Sequence, residues 1–338
     1  GDEDTTVEVG CGPFRLVEWS DAKRLVLARH DAYHGNPIHL DGVVVHTPPD
    51  PVIENALKEF EEGGLHLVEL TNVDDEDMPD TGPVDILHRL ELSLTFLAFA
   101  VDRPPFDDVS LRRAIAHAVD MSALPSIDPR RRPMANGVLP PGFPGYEPVA
   151  KTLESDPERA AQLLEDANLP ERPIRVGIPA RGPAFEEFAR ALCAQIEAIG
   201  IAVEPQRLDW SDFGKALHAR RFDAFLLTWV ADIPDPDSFF SPLFHSAGSV
   251  NHLHYADPDV DAWLETARGE GDGQRRMELY RRTERRVLDD AVIVPLHFNS
   301  TVFAVRRELR GFEITSMGSA QIRLDSVWLD DATGGPAR

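Results

Sequence analysis

The feature that most constrains the fold is an alternation of strands and helices in the second half of the chain. Strands are predicted at 174–178, 201–204 and 224–229, and the last of these is a continuous apolar run of strand length. The helix predicted at 184–199 has one apolar stripe, formed by Phe185, Phe188, Ala189, Leu192, Cys193, Ile196 and Ile199. Gly200 ends this helix, and a shorter helix is predicted at 210–220. The resulting strand–helix–strand–helix–strand order predicts a mainly parallel α/β layer with buried strands.

Other parts of the chain also carry clear secondary-structure patterns. Further strands are predicted at 14–19, 24–28, 42–45, 65–70, 92–101, 291–296, 301–305 and 322–329. The first two form a hairpin with its turn at 20–23. A helix at 50–60 begins at Asp50-Pro51, because a proline after an aspartate is a helix start signal. These elements predict an α/β chain throughout.

The loop after the strand at 224–229 concentrates acidic residues. It follows Trp229 and holds Asp232, Asp235 and Asp237, which two prolines separate. A carboxylate just past a buried strand, stiffened by prolines and next to a tryptophan, suits a cationic group of a ligand. The alternative is an acidic, solvated turn, since Asp and Pro are ordinary turn residues. On local sequence alone, the solvated turn is the favoured interpretation.

Length and charge exclude several classes of protein. The chain has 338 residues, which is too long for one small core and predicts two lobes or domains. Its net charge of −24 argues against binding to nucleic acid or to an anionic membrane surface. No apolar run approaches the length of a membrane span, so no membrane insertion is expected. The chain starts without a basic and apolar leader, so we expect a signal peptide to be removed or never present.

Motifs for catalysis and cofactor binding are absent from the sequence. His245, His252 and His254 lie close together, but no cysteine or carboxylate joins them at a metal-ligand spacing. The chain has no G-x-S-x-G elbow and no phosphate-binding glycine motif. Cys193 lies in an apolar stripe and is predicted to be core, and the basic run at 130–132 is predicted to be a solvated loop. The sequence therefore predicts no enzyme, no metal site and no cofactor.

Six segments, in this order and at this spacing, match the landmarks of one protein family. They are GCGPF at 10–14, RHDAYHGNP at 29–37, PPFDDVSLRRAI at 104–115, LPPGFPGY at 139–146, DPERAAQLLEDAN at 156–168 and TWVADIPDPDSFF at 228–240. The chain resembles the family 5 extracellular solute-binding proteins, the dipeptide- and oligopeptide-binding components of ABC transporters. The resemblance runs from about residue 10 to residue 329.

The resemblance implies an α/β fold of the periplasmic-binding-protein type II, with two lobes and truncated at the N-terminus. It places the remaining first lobe at 10–101 and 297–330, the second α/β lobe at 102–296, and tails at 1–9 and 331–338. The two chain crossings between the lobes are expected to act as a hinge that closes around a ligand. The family's N-terminal part, which supplies one wall of the ligand cleft, is expected to be missing here.

The resemblance also implies a ligand site in the acidic loop. In peptide-binding members of the family, an aspartate after the strand tryptophan takes the ammonium group of the ligand, and the matching residue here is Asp232. Trp229 is expected to form an apolar wall, with Ala231 and Ile233 beside it. The other two carboxylates of the loop are expected to shape the turn.

This chain departs from the family pattern at two places near the site. Some dipeptide binders hold the ligand carboxylate with an arginine near the start of the helix at 184–199. Here Glu186 and Glu187 stand there, and Arg190 follows one turn later as the candidate cation. Thr228 replaces the usual glycine before the tryptophan.

The function that the resemblance implies is capture of a peptide or a related cationic small molecule between two lobes, for ABC-type uptake. Its partners would be that ligand and an ABC transporter permease, and its location periplasmic or otherwise extracytoplasmic. One alternative is a ligand-sensing module of a larger transcription regulator or signalling protein, which would be cytoplasmic. Another is a degenerate scaffold that no longer binds a ligand.

Overall fold

The computed structural model of this chain describes residues 10–20, 24–46, 53–70, 82–124, 133–143, 146, 154–331 and 335–336. Several predictions lie outside these residues: the tails at 1–9, 332–334 and 337–338, the hairpin turn at 21–23, the helix start at Asp50-Pro51, the basic run at 130–132 and the end of the fourth family segment at 144–145.

The elements of the described residues alternate between helix and strand from residue 157 to residue 244. The helices are α1 (Ile53–Glu61), α2 (Val109–Ala118), α3 (Pro157–Asp166), α4 (Pro183–Ala198), α5 (Trp210–His218), α6 (Asp237–Phe244), α7 (Pro258–Gly269) and α8 (Gly273–Asp289). The strands are β1 (Phe14–Ser20), β2 (Arg24–Arg29), β3 (Gly42–His46), β4 (Leu67–Glu69), β5 (Val84–Phe99), β6 (Ile174–Pro179), β7 (Val203–Leu208), β8 (Ala224–Val230), β9 (Ile293–Arg306), β10 (Leu309–Arg310), β11 (Trp328–Asp331) and β12 (Gly335–Pro336). Two short 3-10 helices cover Met121–Ala123 and Gly318–Gln321.

The chain divides into two compact units. The first takes in the described residues of 1–89, 301–315 and 319–338, and the second those of 90–300 and 316–318. The lobes that the family resemblance implies, 10–101 with 297–330 and 102–296, have different bounds and stay a prediction.

The first unit consists of small sheets and one helix. Strands β1, β2 and β3 form an antiparallel sheet, which confirms the predicted hairpin. Strand β4 pairs with the end of β9 through Val68↔Ala304, and helix α1 packs there through the buried Phe60. Arg306 stabilises this packing, because its guanidinium lies 5.1 Å from the Phe60 ring centroid and donates to the Leu65 carbonyl oxygen at 3.0 Å.

The second unit is built on a sheet with the strand order β9-β5-β8-β6-β7. Strand β6 runs parallel to both β7 and β8, and β5 runs antiparallel to β8. The parallel arrangement predicted for β6, β7 and β8 is therefore confirmed, whereas the sheet as a whole is mixed because β5 is antiparallel to β8. Helix α4 confirms the apolar stripe: its residues from Phe185 to Ile196 on that stripe are buried, and Gly200 follows with a φ of +91°. A positive φ favours glycine, which suits the end of a helix.

Helices cover both faces of this sheet. Alternate side chains of a strand point to opposite faces, and β8 shows this clearly. Ala224 and Leu226 pack in one core cluster with α2 and α4, whereas Phe225 and Leu227 pack in the other with α5, α6, α7 and α8. The unit therefore has three layers, with the sheet in the middle.

Two predictions about elements were wrong. The strands predicted at 291–296 and 301–305 are one strand, β9, because the polar residues between them fit the sheet. Asn299, for example, donates from Nδ2 to Ser93 Oγ at 2.9 Å. The C-terminal strand predicted at 322–329 is shorter, since β11 begins at Trp328. Helix α6 lay within the acidic loop and was not predicted.

Candidate functional site

The end of β8 fixes Trp229 as the start of the candidate site. The strand is buried up to Leu227 and emerges at Val230, so Trp229 is half-buried. Its indole Nε1–H donates to the Ser238 carbonyl oxygen at 2.7 Å, which ties the strand to α6. Ala231 is 2% exposed, and its backbone N–H donates to the Leu92 carbonyl oxygen at 2.8 Å. The ring and the start of the loop are therefore held rigidly.

Two carboxylates of the loop are held in structural ion pairs. Asp235 accepts two hydrogen bonds at 2.8 Å from the Arg276 guanidinium, and this pairing lowers the pKa of its carboxyl group. Asp237 accepts from Arg268 Nε at 3.2 and 3.1 Å and from the Ser241 hydroxyl. Both residues therefore stabilise the turn into α6, as predicted.

Asp232 differs from its two neighbours in the loop. Its side chain is exposed, and among the described residues no hydrogen bond or ion pair involves its carboxylate. The next residue, Ile233, is also 56% exposed. An unpaired carboxylate beside an exposed apolar side chain, on a loop that its neighbours hold in place, is suited to receive a cationic group from outside the chain.

The topology of the sheet forms a switch point at this position. Strands β6 and β8 are adjacent and parallel, paired through Val176↔Ala224 and Gly177↔Phe225. The chain leaves β6 for α4 on one face of the sheet and leaves β8 for α6 on the other face. Such a switch point leaves a crevice outside the carboxyl ends of the two strands, which is where open α/β sheets bind ligands.

Each of the two strands is followed, two residues after its end, by a charged side chain at this crevice. Asp232 follows β8 in this way, and Arg181 follows β6. The Arg181 side chain is exposed, and its Nη1 donates to the Thr228 hydroxyl at 2.7 Å. Its guanidinium carbon lies 5.6 Å from the Phe185 ring centroid and 5.9 Å from that of Trp210.

The surroundings of Arg181 shift the pKa of its guanidinium, which nevertheless stays charged. Desolvation by the crowded neighbours lowers the pKa of its guanidinium from the usual value, and the Glu91 carboxylate opposes this shift. An arginine remains charged at neutral pH under any such shift, and its planar fork matches a carboxylate in two hydrogen bonds. Arg181 is therefore our candidate for the residue that binds a ligand carboxylate at the switch point.

The predicted cation, Arg190, lies on helix α4. Its helix α4 packs on the sheet face of Ala224 and Leu226, and Arg190 lies on the exposed side of that helix. Trp229 packs on the opposite face of the sheet. Among the described residues no hydrogen bond or ion pair joins Arg190 to Asp232, so its part in the site stays a prediction. Trp229, Ala231, Asp232 and Ile233 lie together at the end of β8.

The arrangement at the crevice is suited to binding rather than to reaction. The Arg181 guanidinium follows β6 and the Asp232 carboxylate follows β8. The two charges complement a molecule that carries both an ammonium and a carboxylate group. Within the described part of the chain, no group of three or more His, Cys, Asp or Glu residues is placed to hold a metal ion. Burial raises the pKa of the Cys193 thiol to about 11, and this residue lies in the core as predicted.

Comparison with known proteins identifies the family. The sequence profile of the bacterial extracellular solute-binding proteins, family 5 (middle), matches residues 2–251 of this chain. The chain therefore belongs to this family. Heme-binding protein A of Haemophilus influenzae is 28% identical over 319 residues, which cover 92% of this chain and 58% of that protein. The dipeptide-binding protein of Escherichia coli is 25% identical over 323 residues, or 92% of this chain and 59% of that protein.

Solved structures show the same fold. An ABC transporter substrate-binding protein, CtaP, of Listeria monocytogenes superposes with a TM-score of 0.84 at 20% identity, over 95% of this chain and 67% of that one. A dipeptide-binding protein from a Pseudoalteromonas species, in complex with Met-Leu, superposes with a TM-score of 0.77 at 22% identity, over 94% and 64%. The predicted periplasmic-binding-protein fold class is confirmed. The chain spans about three fifths of the length of the curated relatives reported above.

No helix among the residues that the structure describes combines the length and the apolar character needed to cross a membrane.

Proposed function

We propose that this protein binds short peptides, or related small molecules that carry an ammonium group, for uptake by an ABC transporter. The observation that carries the proposal is the pair of opposite charges at the switch point, Asp232 after β8 and Arg181 after β6. Asp232 would take the ligand ammonium, Trp229 would form an apolar wall, and Arg181 would take the ligand carboxylate. In this function the protein catalyses no reaction.

The proposal extends to partners and place. Several relatives and solved neighbours are named as dipeptide- or peptide-binding proteins or as ABC transporter substrate-binding proteins. An ABC transporter permease is the corresponding partner, and an extracytoplasmic location, periplasmic where there is an outer membrane, is the corresponding place. The comparisons do not favour the alternative of a sensing module in a regulator. A scaffold that binds no ligand is an outcome of the test below.

The test is isothermal titration calorimetry with di-, tri- and tetrapeptides of alanine. We expect measurable binding by the wild type. Asp232→Asn and Arg181→Gln are each expected to weaken binding by about 10- to 100-fold, because each removes one charge-assisted contact. Asp289→Asn, the same charge change at an exposed position on α8, is the matched control and is expected to leave the affinity unchanged. Absence of heat with every peptide, or equal binding by all four proteins, would refute the proposal.

A further inference from the structure

Thr228 occupies the centre of a polar chain that leads into the crevice. Its hydroxyl lies 2.7 Å from Arg181 Nη1 on one side and 2.7 Å from the Thr95 hydroxyl on the other. Thr95 is 1% exposed and is paired directly opposite Thr228 between β5 and β8. Directly opposed threonines form one of the stabilising cross-strand pairs of antiparallel strands. The hydroxyl that Arg181 contacts is thus itself held by the sheet.

The chain of hydrogen bonds continues into the sheet beyond Thr95. Thr95 Oγ1 lies 3.5 Å from Asn299 Oδ1, and Asn299 Nδ2 lies 2.9 Å from Ser93 Oγ. An arginine only donates, so Thr228 must accept from Arg181. One donor order then satisfies every link: Arg181 to Thr228, Thr228 to Thr95, Thr95 to Asn299, and Asn299 to Ser93. Because four of these five residues lie on strands of the sheet, the far end of this series of hydrogen bonds is fixed.

These hydrogen bonds restrain the guanidinium of Arg181, which is the group that would contact a ligand. An arginine side chain on a loop loses considerable rotamer freedom when it binds, and a side chain already held in place loses less. The stacked neighbours Phe185 and Trp210 limit the tilt of the guanidinium, while Thr228 fixes one of its nitrogens. The cationic end of the site is therefore set in position before any ligand arrives.

The acidic end is fixed independently. Asp232 lies on a loop whose next two carboxylates are held by Arg276 and Arg268. The backbone that carries Asp232 is therefore anchored by its neighbours, so the position of the Arg181 guanidinium relative to this loop affects which ligand lengths fit.

We propose that Thr228 is a positioning residue that determines which ligand length this site prefers, by holding the Arg181 guanidinium at a set distance from Asp232. The inference rests on the proposed function, since it concerns the same crevice. It adds that Thr228, which is uncharged, affects ligand selection through its contact with Arg181.

The experiment compares di-, tri- and tetra-alanine by calorimetry with the wild type, Thr228→Val and Thr228→Ser. Valine keeps the shape and the strand preference of threonine but removes the hydroxyl, whereas serine keeps the hydroxyl. Thr266→Val is the matched control, because Thr266 is an exposed threonine on α7 whose hydroxyl donates to the Ala262 carbonyl oxygen at 2.7 Å. Far-ultraviolet circular dichroism establishes that each variant is folded.

The wild type is expected to prefer one peptide length by about tenfold or more over the next best, which corresponds to one well-placed contact. Thr228→Val is expected to reduce this preference to about threefold or less, and Thr228→Ser and Thr266→Val to keep it. If Thr228→Val retains the full preference, or weakens all lengths equally, the inference is wrong. If that happens while Asp232→Asn and Arg181→Gln still weaken binding, the proposed function stands without it.

A second measurement needs no ligand. Nitrogen-15 NMR of the arginine side chains reports rotation about the guanidinium bonds of Arg181. We expect restricted rotation in the wild type and in Thr228→Ser, and faster rotation in Thr228→Val. Equal rotation in the three proteins would show that Thr228 does not hold Arg181. Absence of peptide binding by the wild type would overturn the proposed function and this inference together.

Discussion

Both ends of the strand pair β6 and β8 carry aspartate and arginine, but these residues form ion pairs at one end and not at the other. At one end, Asp223 lies just before β8 and is 1% exposed, and Arg172 and Arg175 hold it. At the other end, Arg181 and Asp232 follow the strands, and in the described part of the chain no ion pair joins them. An acid and a base that meet stabilise a fold, whereas an acid and a base held apart leave two charges for a ligand.

The hydrogen bonds explain why the first end is structural. Asp223 accepts from Arg172 at 2.7 and 2.9 Å, from Arg175 Nε and Nη2 at 3.2 and 3.0 Å, and from the Arg175 backbone N–H at 2.9 Å. Burial by itself would raise the pKa of this carboxyl group, but the two guanidinium groups and the backbone N–H lower it far below its usual range. No binding capacity remains there for a ligand.

The largest expected effect comes from Asp223→Asn. The substitution leaves two guanidinium groups without their carboxylate, so we expect the free energy of unfolding to fall by about 2 to 4 kcal/mol, allowing for the partial exposure of both arginines. Asp232→Asn, the same change at the other end, is expected to alter it by less than about 0.5 kcal/mol. Urea unfolding of both variants measures the difference. If both variants lose a similar free energy of unfolding, the two ends do not differ in the way described.

The pH dependence of the same pair sharpens this prediction. The folded-state pKa of Asp223 lies below its unfolded value of about 3.9, so the unfolded state binds more protons as the pH falls. Its contribution is present above about pH 4 and is lost at lower pH. Wild type is therefore expected to lose more stability than Asp223→Asn on acidification below pH 4. Parallel stability curves for the two proteins would contradict the assignment.

A second buried carboxylate, Glu284 on α8, is expected to give a smaller effect of opposite sign. It accepts from the backbone N–H groups of Val138 and Leu139 at 2.6 and 3.2 Å, without the two guanidinium groups that Asp223 has. Burial raises the pKa of its carboxyl group from 4.5 to about 7, and the two N–H donors oppose this. The folded state therefore binds a proton more tightly than the unfolded state does, so this contribution is complete below pH 4.5 and is lost as the pH rises through 7.

The measurement for Glu284 is the free energy of unfolding between pH 5 and pH 8. We expect this group to lower the stability of the wild type by about 2 kcal/mol over that range, and Glu284→Gln to remove that slope. Glu278→Gln, on the exposed side of the same helix, serves as the control and should keep the wild-type slope. A slope that persists in Glu284→Gln would show that the carboxyl group titrates as it does in the unfolded chain.

The smallest expected effect belongs to Arg190→Ala. Arg190 lies on the exposed side of α4, away from the face of Trp229, so we expect peptide affinity to change by less than about twofold. Arg181→Ala is the companion variant and is expected to weaken binding. If calorimetry shows the reverse order, the carboxylate end of the ligand lies at Arg190, as the sequence predicts, and the switch-point account is wrong.

Much of the fold follows from local pattern. The apolar runs and the helix stripe predict the order of β6, α4, β7, α5 and β8, because periodicity is a property of each segment alone. The same reasoning misses the continuity of β9. Its polar residues resemble a loop in sequence, and they become strand residues through hydrogen bonds to a strand about 200 residues earlier in the chain. Contacts of that range carry no local signal.

The candidate site also contains one residue that the sequence predicts and one that depends on long-range contacts. Asp232 could be singled out through the resemblance to the family, in which an aspartate after the strand tryptophan binds the ligand, whereas local sequence alone favours a solvated turn. Arg181 could not, because its importance depends on the pairing of β6 with β8 and on the partner that Thr228 finds in Thr95. A cation two residues after the first strand of a parallel unit is a signal that could have been used, since the carboxyl ends of such strands carry the ligand sites.

The most direct test of the central claim, that Asp232 receives the ammonium group of a ligand at the switch point, is a cycle that changes both partners. Dialanine and N-acetyl-dialanine are titrated against the wild type and Asp232→Asn by calorimetry. We expect acetylation to weaken binding to the wild type by about tenfold or more and to leave binding to Asp232→Asn nearly unchanged, because the contact is already lost. Equal penalties for acetylation in both proteins would show that the ammonium group binds elsewhere and would contradict the account.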